Sequence, residues 1–215
     1  MKILLFGATG SAGGGVLRLC LTDAGVTEVR AILRRSTGVM HPKLREIRHA
    51  DYLDFDAVRT AFIDVDACFY CLGKSVRQTS GEVEYRRITC DFAMAAAAAL
   101  RAGSPRGAFH YISGAGSSLT SRFMWARVKA EAERDLMMHF DAICWRPASI
   151  DGVPSASEPL GYKLFRPIAR VLLRPFPSAY ITGEDIGRAM LVATRQGIRK
   201  RIFENTEMRL MAKGG

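Results

Sequence analysis

The sequence predicts an α/β domain: a doubly wound parallel sheet between two layers of helices. Three observations predict it. Apolar, strand-like runs alternate with helical patterns from end to end, an order that favours a parallel sheet covered on both faces. The first run, Lys2-Ile3-Leu4-Leu5-Phe6, leads directly into Gly7-Ala8-Thr9-Gly10-Ser11-Ala12-Gly13-Gly14. A helical pattern follows in Val16, Leu17, Leu19 and Cys20, so glycines three residues apart stand between a buried strand and a helix.

Taken in order, the strands are expected at Lys2–Phe6, Glu28–Leu33, Leu44–His49, Ala67–Leu72, Ala108–Ser113 and Ala142–Pro147. Helices are expected near Gly14–Ala24, Asp54–Phe62, Glu82–Ala102 and Arg122–Phe140. Thr182-Gly183-Glu184-Asp185 reads as the cap of a last helix running to about Thr194. Lys213-Gly214-Gly215 reads as a loose end. The 215 residues suit one domain with a full core, and no repeat or linker divides residues 1–215. Residues 151–180 are richer in Pro, Gly and Ser and are expected to form a lid over the site. Within them Gly161–Arg174 is amphipathic and basic, read either as a helix on the sheet edge or as the basic side of that lid.

Apolar residues make up 48% and charged residues 24%, the balance of a soluble globular chain. No run reaches the length of a membrane span, and the first residues show no signal-peptide pattern. Five cysteines, an odd number, argue against a disulfide framework and for a reducing cytoplasm. Cys68 and Cys71 stand three apart in a strand-like run and should point to opposite faces. His41, His49, His110 and His139 lack metal-ligand spacing, so no metal site is expected. The net charge of +10 hints at anionic partners, without a nucleic-acid motif behind it.

The glycine turn carries the functional reading. Gly7 permits a tight turn, Gly10 lets the backbone approach a pyrophosphate, and Gly13 lets the helix pack closely on the sheet. The positive end of the helix then faces phosphates. The second strand ends in Arg34-Arg35, with no Asp or Glu between Glu28 and Glu46. A carboxylate there would hold a ribose 2′-hydroxyl, whereas a guanidinium suits a 2′-phosphate, which favours NADP over NAD. Asp51 is placed to accept from an adenine amine, and Gly73, after Cys71-Leu72, lets the backbone lie beneath a ribose.

With these residues the chain resembles the short-chain dehydrogenase/reductase superfamily. More narrowly it is similar to the atypical, single-domain branch that includes the TIP30-like oxidoreductases. The resemblance rests on Gly7-x-x-Gly10-x-x-Gly13, Asp51-Tyr52, Cys71-Leu72-Gly73, Ser113, Lys129 and Arg146-Pro147. It implies a Rossmann sheet and a bound nicotinamide nucleotide lined by Gly7, Thr9, Gly10, Ser11, Ala12, Gly13, Arg34, Arg35, Asp51, Tyr52, Cys71, Leu72, Gly73, Lys129 and Pro147.

The catalytic helix departs from that pattern. The superfamily carries Tyr-x-x-x-Lys, whereas this chain reads Trp125-Ala126-Arg127-Val128-Lys129. An indole N–H donates a hydrogen bond but is no general acid near neutrality. Ser113, Trp125 and Lys129 are the candidate catalytic positions, with Lys129 able to hold ribose hydroxyls. An asparagine that often joins them in the family is missing, since Asn205 is far downstream. Tyr70, Tyr85, Tyr111, Tyr162 and Tyr180 are candidate replacements, with Tyr162 foremost, though packing accounts for all five. Three readings stay open: an NADP-dependent reductase with an unusual acid, a nucleotide sensor or scaffold, and a basic surface for an anionic partner. A small-molecule substrate is unidentified, and a homodimer is left open.

Overall fold

The computed structural model describes residues 1–151, 180–198 and 200–214. The expected lid, with Tyr162 and the amphipathic stretch, lies outside the described residues. The elements are β1 (Lys2–Phe6), α1 (Ser11–Thr22), β2 (Glu28–Leu33), β3 (Leu44–Arg48), a 3₁₀ segment (Asp56–Phe62) and β4 (Ala67–Tyr70). Next come α2 (Glu82–Arg86), a π-turn (Arg87–Asp91), α3 (Phe92–Gly103), β5 (Ala108–Ile112), α4 (Met124–Phe140) and β6 (Ile143–Arg146). The chain continues with β7 (Ser149–Asp151), β8 (Tyr180–Thr182), α5 (Gly183–Gln196), β9 (Ile202–Glu204) and α6 (Asn205–Gly214).

Seven strands form one parallel sheet in the order β3-β2-β1-β4-β5-β6-β9, and β7 and β8 form a small parallel pair. The order reverses between β1 and β4, which puts a crevice beyond their carboxyl ends. This is the doubly wound, Rossmann-like three-layer architecture.

Alternation along the strands builds two cores. Ile3 and Leu5 of β1 face Val16, Cys20, Ile186 and Met190 of α1 and α5. Leu4 and Phe6 face the 3₁₀ segment, α3 and α4 through Phe62, Ala96 and Val128. Cys68 and Cys71 fall on opposite sides, as their spacing requires. Arg30 of β2 donates to the carbonyls of Ala61 and Ile63 at 3.0 and 2.6 Å and closes the end of the 3₁₀ segment.

Three sequence expectations change. The helix expected at Asp54–Phe62 is a 3₁₀ segment that leaves helical geometry at Val58, where β-branched Val58 and Thr60 lower helical propensity. Lys213 and Gly214 close α6 rather than hanging loose, because Met208 is fully buried and seats that helix. Strands β7, β8 and β9 are three residues each, too short for a period-two pattern to mark them.

His110 lies wholly buried on β5, stacked on Trp145 at 5.7 Å. Trp145 Nε1–H donates to Nδ1 at 3.1 Å, and Nε2 meets Thr194 Oγ1 at 3.1 Å. Burial pushes the imidazole down from 6.5 to about 3. Below pH 6.5 the unfolded imidazole takes up a proton that the folded one refuses until about pH 3. Stability from this residue is therefore complete above pH 6.5 and falls as pH drops, by up to about 1.4 kcal/mol per pH unit. Urea unfolding at pH 7.5, 6 and 5 should show a shallower acid loss in His110→Gln than in the parent. Equal slopes would contradict the argument.

Candidate functional site

The β1–α1 turn lies at the crevice. Gly7 has φ +76°, and a Cβ there would stand 2.5 Å from the Cys71 carbonyl oxygen at the end of β4. Its own carbonyl accepts from Gly10 N–H at 2.9 Å. A Cβ on Gly13 would overlap that same carbonyl. Gly13 therefore seats α1 on the turn itself, a correction to the expectation that it seats the helix on the sheet. Gly10 is exposed, and a Cβ there would meet only the Gly7 oxygen, at 3.3 Å. The first turn of α1 carries no acidic side chain. Helix-terminal N–H groups and the positive end of the dipole thus lie beside an uncrowded backbone at Gly10. Thr9 is exposed on the turn, Ser11 opens α1, and Ala12 is buried beneath it.

Arg34 and Arg35 follow β2 immediately and are both exposed. Glu46, the nearest downstream carboxylate, is engaged by the N–H and hydroxyl of Thr37 at 2.8 and 2.5 Å. Asp51 is exposed, and its carboxylate accepts from Leu53 N–H at 2.9 Å. Tyr52 does not line the crevice with its ring, as expected from its position. It is buried against Phe6 and Phe92 with centroids 6.1 and 5.6 Å apart, because an aromatic side chain there completes the core under the 3₁₀ segment. Cys71 and Leu72 are half-buried and Gly73 exposed, with nothing within 4 Å of a Cβ built on it.

The second half of the site lies at the end of β5. Ser113 is buried, and its N–H donates to the Trp145 carbonyl at 2.7 Å. Its hydroxyl meets Ser117 Oγ at 3.1 Å, while Ser117 donates its own proton to the Gly114 carbonyl at 2.8 Å. In this arrangement Ser113 gives its proton to Ser117. Lys129 Nζ donates to the Ser113 carbonyl at 2.8 Å and lies 5.9 Å from the centre of the Tyr111 ring. Desolvation lowers its ammonium from 10.5 to about 8, against the opposing charge of Glu133. The Trp125 ring lies along the glycine loop: a Cβ on Gly114 would be 3.6 Å from Trp125 Cζ3 and 3.5 Å from Lys129 Cδ. Ser113, Trp125 and Lys129 therefore do come together. Pro147 is buried, and its carbonyl accepts from Ala115 N–H at 2.9 Å, fixing the same loop.

Sequence reasoning missed the supports of this cluster. Asn205, set aside as too distant, accepts from Ala148 N–H at 3.0 Å beside Pro147. Arg146 forks onto Glu133 at 2.6 and 2.9 Å and reaches Glu204 at 3.0 Å, tying α4 to β6 and β9. Ser117 was visible in the same glycine loop as Ser113, and Glu133 stands one turn beyond Lys129. Of the tyrosines weighed as replacement acids, Tyr70, Tyr85 and Tyr111 are buried, and burial raises all three phenols. Tyr111 donates to the Thr89 carbonyl at 3.2 Å, and Tyr180 lies under Arg209, 5.1 Å from its ring centre. Among the described residues no group of three or more His, Cys, Asp or Glu is placed to hold a metal.

No family model matches the chain. Solved structures do match its fold. A dTDP-glucose 4,6-dehydratase, DesIV, from Streptomyces venezuelae with NAD and TYD bound is 16% identical, with TM-score 0.72, over 99% of this chain and 80% of that one. A short chain dehydrogenase from Burkholderia cenocepacia in complex with NADP is 17% identical, with TM-score 0.66, over 99% and 91%. The Bordetella bronchiseptica enzyme WbmH in complex with NAD⁺ is 18% identical, with TM-score 0.70, over 94% and 74%. The chain thus has the fold of NAD(P)-dependent dehydrogenases of the short-chain type. No helix among its described residues is long and apolar enough to cross a membrane.

Gly10→Val should leave the fold intact, since only one atom approaches the new Cβ, and should abolish nucleotide binding by filling the uncrowded side of the turn. Calorimetric titration with NADPH and circular dichroism of the variant read the two effects separately. Unchanged affinity in a folded variant would make the turn purely structural.

Proposed function

We propose that residues 1–215 form a single nicotinamide-nucleotide-binding domain of the atypical short-chain dehydrogenase/reductase type, with a substrate lid at 151–180, acting in the reducing cytoplasm on NADP(H) before NAD(H). The observation that carries the reading is the glycine turn at the switch point of the seven-stranded sheet, uncrowded at Gly10 and with exposed Arg34 at the neighbouring strand end. Gly7, Thr9, Gly10, Ser11, Ala12 and Gly13 would hold the diphosphate, Asp51 the adenine, and Cys71, Leu72 and Gly73 the adjoining ribose. Arg34 and Arg35 would hold a 2′-phosphate, and the engagement of Glu46 by Thr37 leaves that rim without a competing carboxylate. Five free thiols support the reducing compartment.

The reduced nucleotide supplies a hydride for a carbonyl carbon. The chain's own residues must then provide polarisation and a proton. Ser113 can hold the carbonyl oxygen once its hydroxyl turns from Ser117, and Pro147 and Asn205 fix the loop that presents it. Trp125 occupies the place of the usual phenol and has no proton to give near neutrality. Redox turnover by the standard route is therefore impaired, and the same observation favours a second reading, a nucleotide sensor or scaffold that binds without turnover.

Calorimetry should show tighter binding of NADPH than of NADH, and Arg34→Ala should weaken NADPH by about 1.5–3 kcal/mol, the size of a charge-assisted contact. Equal affinities in the parent would end the preference. Trp125→Tyr should raise NADPH oxidation with small aldehydes and ketones by about 10²–10⁴-fold, the usual worth of general acid catalysis. A parent that already turns over rapidly would refute the impaired-site reading.

A further inference from the structure

Lys129 is the one residue of the β5 cluster whose proton inventory suits chemistry. Ser113 directs its proton to Ser117, which passes its own to the Gly114 carbonyl. Tyr111 is committed to Thr89 in the core. Arg127 is held by the carbonyls of Ser121 and Arg122 at 3.0 and 3.1 Å, and a guanidinium does not release a proton in a protein. The Trp125 indole does not titrate. The Lys129 ammonium, by contrast, is fixed at the strand end by the carbonyls of Ser113 at 2.8 Å and Ile112 at 3.5 Å. An ammonium has three N–H donors, so one remains beyond these two carbonyls.

We infer that Lys129 itself delivers the proton to the substrate's carbonyl oxygen, taking over the task for which Trp125 is unfit; this rests on the nucleotide-binding reading above. The carbonyl carbon accepts the hydride pair and forms a C–H bond, and the C=O π pair moves to oxygen. The oxygen forms an O–H bond with the proton from Nζ, and the N–H pair stays on nitrogen. Lys129 is left a neutral amine, which solvent reprotonates.

The surroundings suit a proton that must both stay and leave. Trp125 and the Lys129 methylenes flank Gly114 at the root of the ammonium. Burial brings it down to about 8, while Glu133 on its own helix and Cys90 from the π-turn act the other way. Glu133 is itself ion-paired to Arg146, and Tyr111 of β5 presents its ring to Nζ. A donor poised near the working pH is what general acid catalysis favours.

The test uses the whole chain with NADPH and 4-nitrobenzaldehyde as the carbonyl probe. Calorimetry first establishes NADPH binding for the parent, Lys129→Arg and Lys129→Met. Single-turnover oxidation of bound NADPH is then followed from pH 6 to 10. The parent rate should be flat below about pH 8 and fall tenfold per unit above it, as the ammonium is lost. Lys129→Arg should bind NADPH yet lose about 10²-fold or more in rate, together with that alkaline limb. Independently of turnover, reductive ¹³C-methylation of the protein without nucleotide, assigned with Lys129→Arg, should give a resonance titrating near 8 rather than 10.5. A Lys129 resonance titrating near 10.5, a Lys129→Arg variant with the parent's rate and pH profile, or no turnover at all by NADPH-loaded parent would each overturn the proposal. Failure of the parent to bind any nicotinamide nucleotide would instead overturn the binding reading itself, and is seen in the first step.

Discussion

Backbone touching backbone is the constraint on which the rest of this structure depends. The carbonyl of Cys71 fills the space where Gly7 would carry a side chain, and the carbonyl of Gly7 fills that of Gly13. Two residues further, a Cβ on Gly15 would collide with the Cα of Gly183 at 2.6 Å, and one on Gly183 with the Ala12 carbonyl at 2.6 Å. At these four glycines β4, the turn, α1 and α5 meet backbone to backbone. The turn owes its shape to these seats before any ligand is considered. Cores are close-packed, so a single methyl at any of these points must move a whole element.

The second half of the site depends on an ion pair rather than on close approach. Glu133 is almost wholly buried and meets Arg146 in a two-pronged contact, while Arg146 also reaches Glu204. A buried charge without its partner typically costs several kcal/mol, so α4 has one admissible position along β6. That position puts Lys129 under Ser113. The Arg146 guanidinium is held above its ordinary value, chiefly by its hydrogen bonds to Glu133.

Much of this was readable in the residues, and the reasons differ by element. β1 and β2 were placed to the residue because both are long enough for their patterns to show, β1 apolar from Ile3 to Phe6 and β2 from Ala31 to Leu33. The Thr182 cap was readable because the Thr182 hydroxyl does accept from Asp185 N–H, at 3.0 Å. β9 and α6 were not: β9 is three residues long, and α6 buries little beyond Asn205 and Met208. Ser113 and Arg34 stand at strand ends as their sequence positions implied, each directly after the last residue of its strand. Asn205 was missed because its place beside Pro147 follows from β9 pairing in register with β6, a fact of the sheet alone. Tyr52 was misjudged because position after β3 says where the backbone goes and not which way a ring turns.

The small second sheet joins parts of the chain that are distant in sequence. Ser149, Ile150 and Asp151 pair with Tyr180, Ile181 and Thr182, so residues 151 and 180 are pinned on neighbouring strands. The entropy of closing a chain segment grows only by about 0.6 kcal/mol for each doubling of its length. β7 and β8 thus work as a clasp, holding residues 149–151 beside residues 180–182 although some thirty positions of sequence separate them.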